Sequence, residues 1–237
     1  MNEKEWLACE DPEQMLGFLR ENASDRKIDL FRVAQCRTIW HLLTDERSRD
    51  VVITVERSAD GLATVEERLN ARRAARLAMI ELRRSACVTQ VEAGGEARQV
   101  VKEAFMDAAA AEVAYQSAGA GIKGNVFSYF DAGLHDEQSI RLAQDAREEL
   151  LTGTSCICRD IFGNPFRPVT FDPAWRTDTA VALARSMYET RDFGAMPILA
   201  DALQDAGCDS DDILNHCRGP GPHVRGCWVV DLVLGKE

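Results

Sequence analysis

The sequence predicts an all-α protein, a multi-helix bundle interrupted by an irregular connector rich in proline and aromatic residues. Three observations support this class. Apolar residues recur at helical spacing along most of the chain, and capping residues or glycines separate the successive runs. No second segment alternates apolar and polar residues clearly enough to pair as a strand. Five of the seven prolines are confined to residues 160–175 (DIFGNPFRPVTFDPAW) and 216–231 (HCRGPGPHVRGCWVVD).

Capping residues mark the first helix starts. Asp11 and Pro12 predict a helix, because the carboxylate accepts from free amides and the proline lacks only an N–H that would be unpaired anyway. Ser24 predicts a second helix that runs to about residue 43. Thr64 and Glu67 form a capping-box pattern ahead of a long helix that reaches about residue 88.

The middle of the chain predicts further helices joined by glycine-rich turns. Gly94 and Gly95 break the helical run, so two antiparallel helices joined there are the simplest interpretation. Residues 119–125 (GAGIKGN) predict a loop, because they follow a helix and lack the Lys-Ser/Thr ending of a phosphate-binding P-loop. Asp136 predicts one more helix, through about residue 151.

The proline-rich stretch 160–175 predicts a packed connector. Each proline pushes the preceding residue toward extended geometry, which disfavours regular structure. A flexible linker does not carry four large aromatic side chains, so we expect these to anchor the segment against neighbouring helices. The four are Phe162, Phe166, Phe171 and Trp175.

The last part of the chain predicts three or four short helices. Thr177, Pro197 and Ser210 (or Asp209 beside it) mark helix starts. The run CWVVDLVL (227–234) is compatible with a buried strand, but its spacing with Val224 and the flanking proline and glycine indicate a helix.

Length and charge limit the organisation and the partners. We expect two closely packed regions, 1–152 with a variable Ala/Arg-rich middle and 153–237 packed on it. The net charge of −11 argues against nonspecific binding of nucleic acid and favours neutral or basic partners.

The start of the chain has no secretion-signal pattern, and no run of about 18 apolar residues occurs. We therefore expect a cytoplasmic protein with no membrane partner.

One half of the long helix is rich in arginine, and the other half is rich in alanine. Such an arginine face is either solvated and paired with nearby glutamates or a surface that binds a partner. A protein partner is the first expectation, and a nucleic acid is the weaker alternative. The arginines are Arg68, Arg72, Arg73, Arg76, Arg83 and Arg84.

Cysteine and histidine concentrate near the C-terminus. Thiolates and imidazoles are zinc ligands, and the spacing Cys-x5-His-x3-Cys brings three of them into a short span. Against zinc, no C-x2–4-C turn is present, and cysteines in a reducing compartment usually serve as small core residues. We expect no cofactor, with zinc as the alternative. The candidate ligands are Cys208, His216, Cys217, His223 and Cys227.

Two motifs carry a resemblance to a known family. The segments FGNPFRPVT and HCRGPGPHVRGCWVVDLVLGK, together with EWLACEDPEQMLGFLREN, resemble a paralogous family of uncharacterised proteins from planctomycete-type bacteria. The resemblance covers both ends of the chain and implies no reaction, cofactor or catalytic residue. ILADALQDAGCD is also similar to a motif of short companion domains attached to repeat proteins in such bacteria, which implies an interaction role.

Three functions follow as expectations. The first is a non-enzymatic helical protein that binds other proteins as an adaptor or regulator, because no convergent catalytic constellation stands out. In this protein we expect the two ends of the chain to form one compact framework and the middle helices to present the face that varies. The second is a zinc-binding enzyme or regulator that uses residues 208–227. The third is a nucleic-acid-associated protein that uses the arginine face of the long helix.

Overall fold

The computed structural model describes residues 1–19, 22–93, 111, 114 and 153–236. These residues form ten α-helices and no strand, which confirms the predicted all-α class. The helices are α1 (Glu3–Ala8), α2 (Pro12–Leu19), α3 (Asp25–Thr38), α4 (Glu46–Ala59), α5 (Val65–Ala93), α6 (Thr154–Phe162), α7 (Asp178–Thr190), α8 (Met196–Asp205), α9 (Asp211–Arg218) and α10 (Trp228–Leu234). Two 3-10 turns occupy Trp40–Leu42 and Pro173–Trp175. None of the described helices combines the length and the apolar character needed to cross a bilayer.

Internal packing divides the chain into two compact units. The composite unit comprises Met1–Lys27 and Gly153–Glu237, and the central unit comprises Ile28–Thr152. One boundary coincides with the expected division after residue 152. The first 27 residues group with the C-terminal region rather than with the residues that follow them. This agrees with the expectation that the two ends form one framework, but not with a single region 1–152.

The composite unit has an apolar core built mainly by α7 to α10. Helix α7 packs against α8 and α10, α9 packs against α8 and α10, and α10 also contacts α6. Burial of apolar side chains is the main stabilising contribution to such a unit. The core residues are Ala180, Ala184, Met187, Tyr188, Met196, Leu199, Ala200, Leu203, Cys208, Ile213, Leu214, Cys217, Cys227, Val229, Val230 and Val233.

The N-terminal helices add a second apolar layer to the composite unit. Trp6 of α1 and Met15 of α2 are fully buried, and α2 packs against α6. The indole Nε1 of Trp6 donates a hydrogen bond to the carbonyl oxygen of Gly163, at 3.2 Å. These residues belong to the composite unit because their apolar side chains are buried there.

The aromatic connector is packed, as predicted. Phe166 stacks on Phe18, with ring centroids 5.2 Å apart. Phe171 and Trp175 meet edge to face at 5.4 Å and pack against the core of the composite unit. The aromatic side chains therefore order a segment that has little regular secondary structure.

The irregular segment begins later than the predicted residue 160. Asp160, Ile161 and Phe162 continue α6, which ends at Gly163 with a φ of +66°. A Cβ at Gly163 would lie 3.3 Å from Cγ of Trp228, so a glycine suits both the left-handed conformation and the close approach. Helix α6 thus extends to Phe162, because the first proline of the segment that follows is Pro165.

The central unit is organised by α4, which packs on α5. The small residues predicted on one side of α5 include Ala75 and Ala78, which are fully buried. Side chains of this size allow the two helices to approach closely. The core residues are Val33, Cys36, Ile39, Leu43, Val51, Val52, Val55, Ala75 and Ala114.

Predicted helix caps agree with the observed hydrogen bonds. Thr64 Oγ1 accepts from the backbone N–H of Glu67 at 3.1 Å, and the Glu67 carboxylate accepts from the N–H of Thr64 at 2.6 Å. Thr177 likewise accepts from the N–H of Ala180 at 3.2 Å. Caps are readable from sequence because donor and acceptor lie within one turn of each other.

Two helices were not predicted. In α1, Asn2 and Glu5 form a reciprocal capping box, with distances of 2.9 and 2.8 Å. In α4, the β-branched run VVITV (51–55) is typical of strands rather than of helices. Asp45 caps α4 by accepting from the N–H of Arg47 at 2.9 Å, and burial of the valines in the central core overrides the local preference.

Several predictions for the middle of the chain lie outside the described residues. These are the helical hairpin at Gly94 and Gly95, the loop 119–125 and the helix 136–151.

Candidate metal centre

Four donor side chains come together in the composite unit. His216 lies in the last turn of α9, Cys227 precedes α10, and His223 lies in the loop between these helices. Asp160 reaches the same point from α6. One donor atom from each side chain belongs to a group whose members all lie within 4.8 Å of one another. We call these four residues the donor group.

The donor atoms converge on one point rather than forming separate pairs. His223 Nδ1 lies 2.8 Å from Asp160 Oδ1, and His216 Nε2 lies 3.1 Å from the same oxygen. His216 Nε2 also lies 3.2 Å from the sulfur of Cys227. Tetrahedral zinc with bonds of about 2.0–2.3 Å separates its ligand atoms by roughly 3.3–3.7 Å. The three observed separations are shorter than this range by about 0.1–0.5 Å, so the side chains would move slightly apart to admit a zinc ion.

Backbone contacts hold two members of the group in position. The second carboxylate oxygen of Asp160 accepts from the N–H of Val224, at 2.9 Å. Gly221 has a φ of +79°, and a Cβ there would lie 3.0 Å from the backbone nitrogen of His223. The loop before His223 is thus compact enough to require a glycine.

The group is largely shielded from solvent. The exposed fractions of the side chains are 3% for Asp160, 9% for His223 and 19% for His216, and Cys227 is fully buried. The ring of His216 lies 4.9 Å from that of His223 and 5.1 Å from that of Trp228. The rings are therefore restrained by packing as well as by hydrogen bonds.

Two members of the group have shifted pKa values. Burial raises the pKa of the Cys227 thiol well above its usual range, and the neighbouring Asp160 raises it further. Burial also opposes ionisation of Asp160, but hydrogen bonds from His216 and His223 prevail and hold its pKa below the ordinary value. A bound metal ion would stabilise the Asp160 carboxylate and would convert the neutral Cys227 thiol to a thiolate, since a coordinating thiol loses its proton.

One nitrogen of the group has no visible role in hydrogen bonding. His223 Nε2 is buried and has no hydrogen-bond partner among the described residues. A metal-bound imidazole usually donates its second N–H to a carboxylate or a carbonyl. Among the described residues, His223 therefore lacks the outer hydrogen bond that usually orients a ligating imidazole.

The geometry does not suit nucleophilic catalysis by Cys227. A catalytic cysteine needs a base whose second ring nitrogen is oriented by a carboxylate. Here Asp160 and Cys227 both approach the same nitrogen of His216. The carboxylate therefore does not orient the second ring nitrogen of His216.

A cavity of about 740 Å³ adjoins the group on one side. Its wall includes Trp6, Lys27, Trp228 and Asp231, and of the four donors it includes only His216. A molecule in this cavity would thus contact the edge of the group and not its centre.

The structure brings together three of the five ligand candidates from the sequence. His216, His223 and Cys227 belong to the donor group. Cys208 and Cys217 lie in the apolar core of the composite unit, and burial raises the pKa of Cys217 to about 12. Asp160 was not among the candidates, because its position relative to the others depends on the packing of α6 against α10.

The six arginines of α5 differ in their surroundings. Arg68 binds Asp29 through both guanidinium nitrogens, one of them at 2.9 Å, and both side chains are nearly buried. Arg72 and Arg83 are half-buried. The exposed members are Arg73, Arg76 and Arg84. Partner binding by this face stays a prediction. Arg68, in addition, forms an ion pair within the central unit.

Arg68→Ala is expected to lower the free energy of unfolding of the central unit. Losing one partner of a buried ion pair costs about 3–5 kcal/mol. We expect a smaller loss, about 2 kcal/mol, because Arg32 remains 3.8 Å from Asp29. Arg73→Ala on the same helix is the control and should change stability by less than about 0.5 kcal/mol. Urea unfolding measures both, and equal effects would contradict the assignment of Arg68.

Comparisons with known proteins add no relative: no family model, no curated protein and no solved structure matches the chain. The class of this protein is therefore described by its fold and its candidate site alone. It is an all-α protein with a buried Asp/His/His/Cys group in the unit formed by its two ends.

Proposed function

We propose that the protein binds a zinc ion through Asp160, His216, His223 and Cys227. The observation that carries the proposal is the convergence of four donor atoms from three separate segments on one buried point. A single imidazole N–H does not make good hydrogen bonds to both a carboxylate oxygen and a sulfur, whereas all three atoms can be ligands of one ion.

The donor set favours zinc among the divalent ions. Thiolate and imidazole ligands suit zinc, whereas magnesium and calcium prefer sites made of oxygen ligands. A mixed set of one sulfur, two nitrogens and one oxygen fits the tetrahedral geometry of zinc. Copper also binds such ligands, so the experiment below compares metals directly.

The role we propose for the ion is structural. Structural zinc sites use four protein ligands, whereas catalytic sites keep a position for water or substrate. The donor group supplies all four ligands, and the adjacent cavity touches only His216. The ion would join α6, the end of α9 and the start of α10, so that metal binding contributes to the stability of the composite unit.

Zinc is expected to raise the thermal stability of the chelator-treated, full-length protein. At a free zinc concentration about 100-fold above Kd, a ligand that binds only the folded state adds about 2.7 kcal/mol. Elemental analysis of protein purified without added metal gives the stoichiometry and the identity of the ion. Calorimetry with zinc, nickel or copper then measures the stabilisation by each.

Two buried cysteines provide a matched pair of variants. Cys217 and Cys227 are both fully buried in the same core, but only Cys227 belongs to the donor group. Cys227→Ala should abolish the response to zinc, and Cys217→Ala should retain it. Loss of the response in both variants, or no response in the wild-type protein, would contradict a zinc site at this place.

We also propose protein binding as a second function, because it is the first expectation from the sequence. A structural zinc site is compatible with it, because such an ion stabilises a scaffold without supplying chemistry. Its surface would be the exposed arginines of α5, namely Arg73, Arg76 and Arg84.

A further inference from the structure

Lys27 occupies a cage of three oxygen atoms in the composite unit. Its Nζ lies 2.7 Å from a carboxylate oxygen of Asp231, 3.1 Å from the carbonyl oxygen of Ile161 and 2.8 Å from that of Gly226. A lysine ammonium has three donors, so this cage satisfies all of them. The side chain is 16% exposed, and its contacts are therefore only weakly screened by water.

The two carbonyl groups belong to the neighbours of metal-site residues. Ile161 follows Asp160 in the last turn of α6, and Gly226 directly precedes Cys227. The carbonyl groups in the last turn of a helix lack partners within the helix, and a lysine near them stabilises that turn. Lys27 thus connects the backbone that carries one donor to the backbone that carries another.

We propose that Lys27 is a positioning residue of the metal centre, which fixes the distance between Asp160 and Cys227 from outside the coordination sphere. This inference rests on the zinc site proposed above. The three donors of the Lys27 ammonium are used by Asp231 and the two carbonyl groups, so Lys27 acts on the donors through the backbone. Without the ammonium, the end of α6 and the residue before Cys227 would no longer be held to a common atom.

Arg26 offers a matched control from the preceding position. Its guanidinium binds the same Asp231 carboxylate, at 2.7 and 3.1 Å, and the hydroxyl of Tyr188 at 2.8 Å. Arg26 and Lys27 have similar exposed fractions, 15% and 16%. Both therefore contribute an ion pair to the fold, and the contacts with Ile161 and Gly226 distinguish Lys27.

The test compares zinc affinity in Lys27→Met and Arg26→Met, measured on the full-length protein by competition with a chelator. Loss of an outer group that orients metal ligands typically lowers affinity about 10- to 100-fold, and we expect an effect of this size for Lys27→Met. Arg26→Met should change the affinity by less than about threefold, because its hydrogen bonds to Asp231 and Tyr188 do not involve the ligand-bearing carbonyls. Visible absorption of the cobalt-substituted proteins should also differ for Lys27→Met alone, since it reports the coordination geometry.

The outcomes separate this inference from the proposed function. If the wild-type protein binds no zinc, the metal site itself is wrong, and the role of Lys27 is wrong with it. If the wild-type protein binds zinc and the two variants bind it equally, only the positioning role is wrong. Should Lys27→Met fail to fold, Lys27→Gln and Arg26→Gln replace the pair, and equal zinc affinity in these variants would overturn the inference in the same way.

Discussion

Asp160→Ala is expected to lower the free energy of unfolding of the composite unit by about 3–5 kcal/mol, because each buried donor left without an acceptor costs about 1–3 kcal/mol. The carboxylate is 3% exposed and accepts from the N–H of Val224 at 2.9 Å. Its other oxygen lies within hydrogen-bonding distance of His216 and His223. Alanine would leave three half-buried polar groups without this acceptor. Urea unfolding in a buffer that contains chelator measures this cost independently of metal.

A surface aspartate in the same unit provides the control. Asp201 is 71% exposed and pairs with Arg218 at 2.9 Å. Exposed ion pairs contribute about 0–1 kcal/mol, so Asp201→Ala should have a correspondingly small effect. A cost for Asp160→Ala as small as that of the control would show that the carboxylate is not the centre of the buried network.

Part of the candidate site could be predicted from sequence, because that part is local. His216, His223 and Cys227 lie between the end of α9 and the start of α10, so chain connectivity keeps them close together. Their residue types and short spacing were sufficient to select them. The proximity of these three residues could therefore be predicted without knowledge of the rest of the fold.

The remaining part depends on tertiary packing. Asp160 approaches from α6, and no local pattern distinguishes it from the other acidic residues of the chain. Cys217 was a candidate although it lies in the apolar core, because the sequence does not say towards which neighbours a buried cysteine points. Selecting among similar residues requires the distances between helices.

The same distinction applies to the fold. The capping box of Thr64 and Glu67 involves residues within one turn, and it was predicted correctly. Helix α4 was not predicted, because its valines favour strands in isolation and are helical only in the packed unit. The grouping of the N-terminal segment with the C-terminal region was expected, but the burial of Trp6 that accompanies it could not be read from a local pattern.

Trp6→Ala should therefore be one of the most destabilising single substitutions in the composite unit. Replacing a buried tryptophan by alanine typically costs about 3–5 kcal/mol. The side chain is fully buried, and its Nε1 donates to the carbonyl oxygen of Gly163 at 3.2 Å, next to the end of α6. The substitution thus removes a buried apolar side chain. It also removes the hydrogen-bond donor to Gly163, the residue that ends the helix carrying Asp160.

The adjacent Leu7 separates the role of the side chain from that of the helix. It lies on the same short helix as Trp6 but is 55% exposed, so Leu7→Ala should cost less than about 0.5 kcal/mol. Trp6→Phe keeps an aromatic ring and loses the hydrogen bond, and we expect an intermediate cost of about 1–2 kcal/mol. Thermal unfolding of the three variants would give this order if α1 is an integral part of the composite unit. If all three variants unfold like the wild-type protein, the N-terminal helix contributes nothing to the unit that carries the candidate metal centre, and the unit must be stable without it.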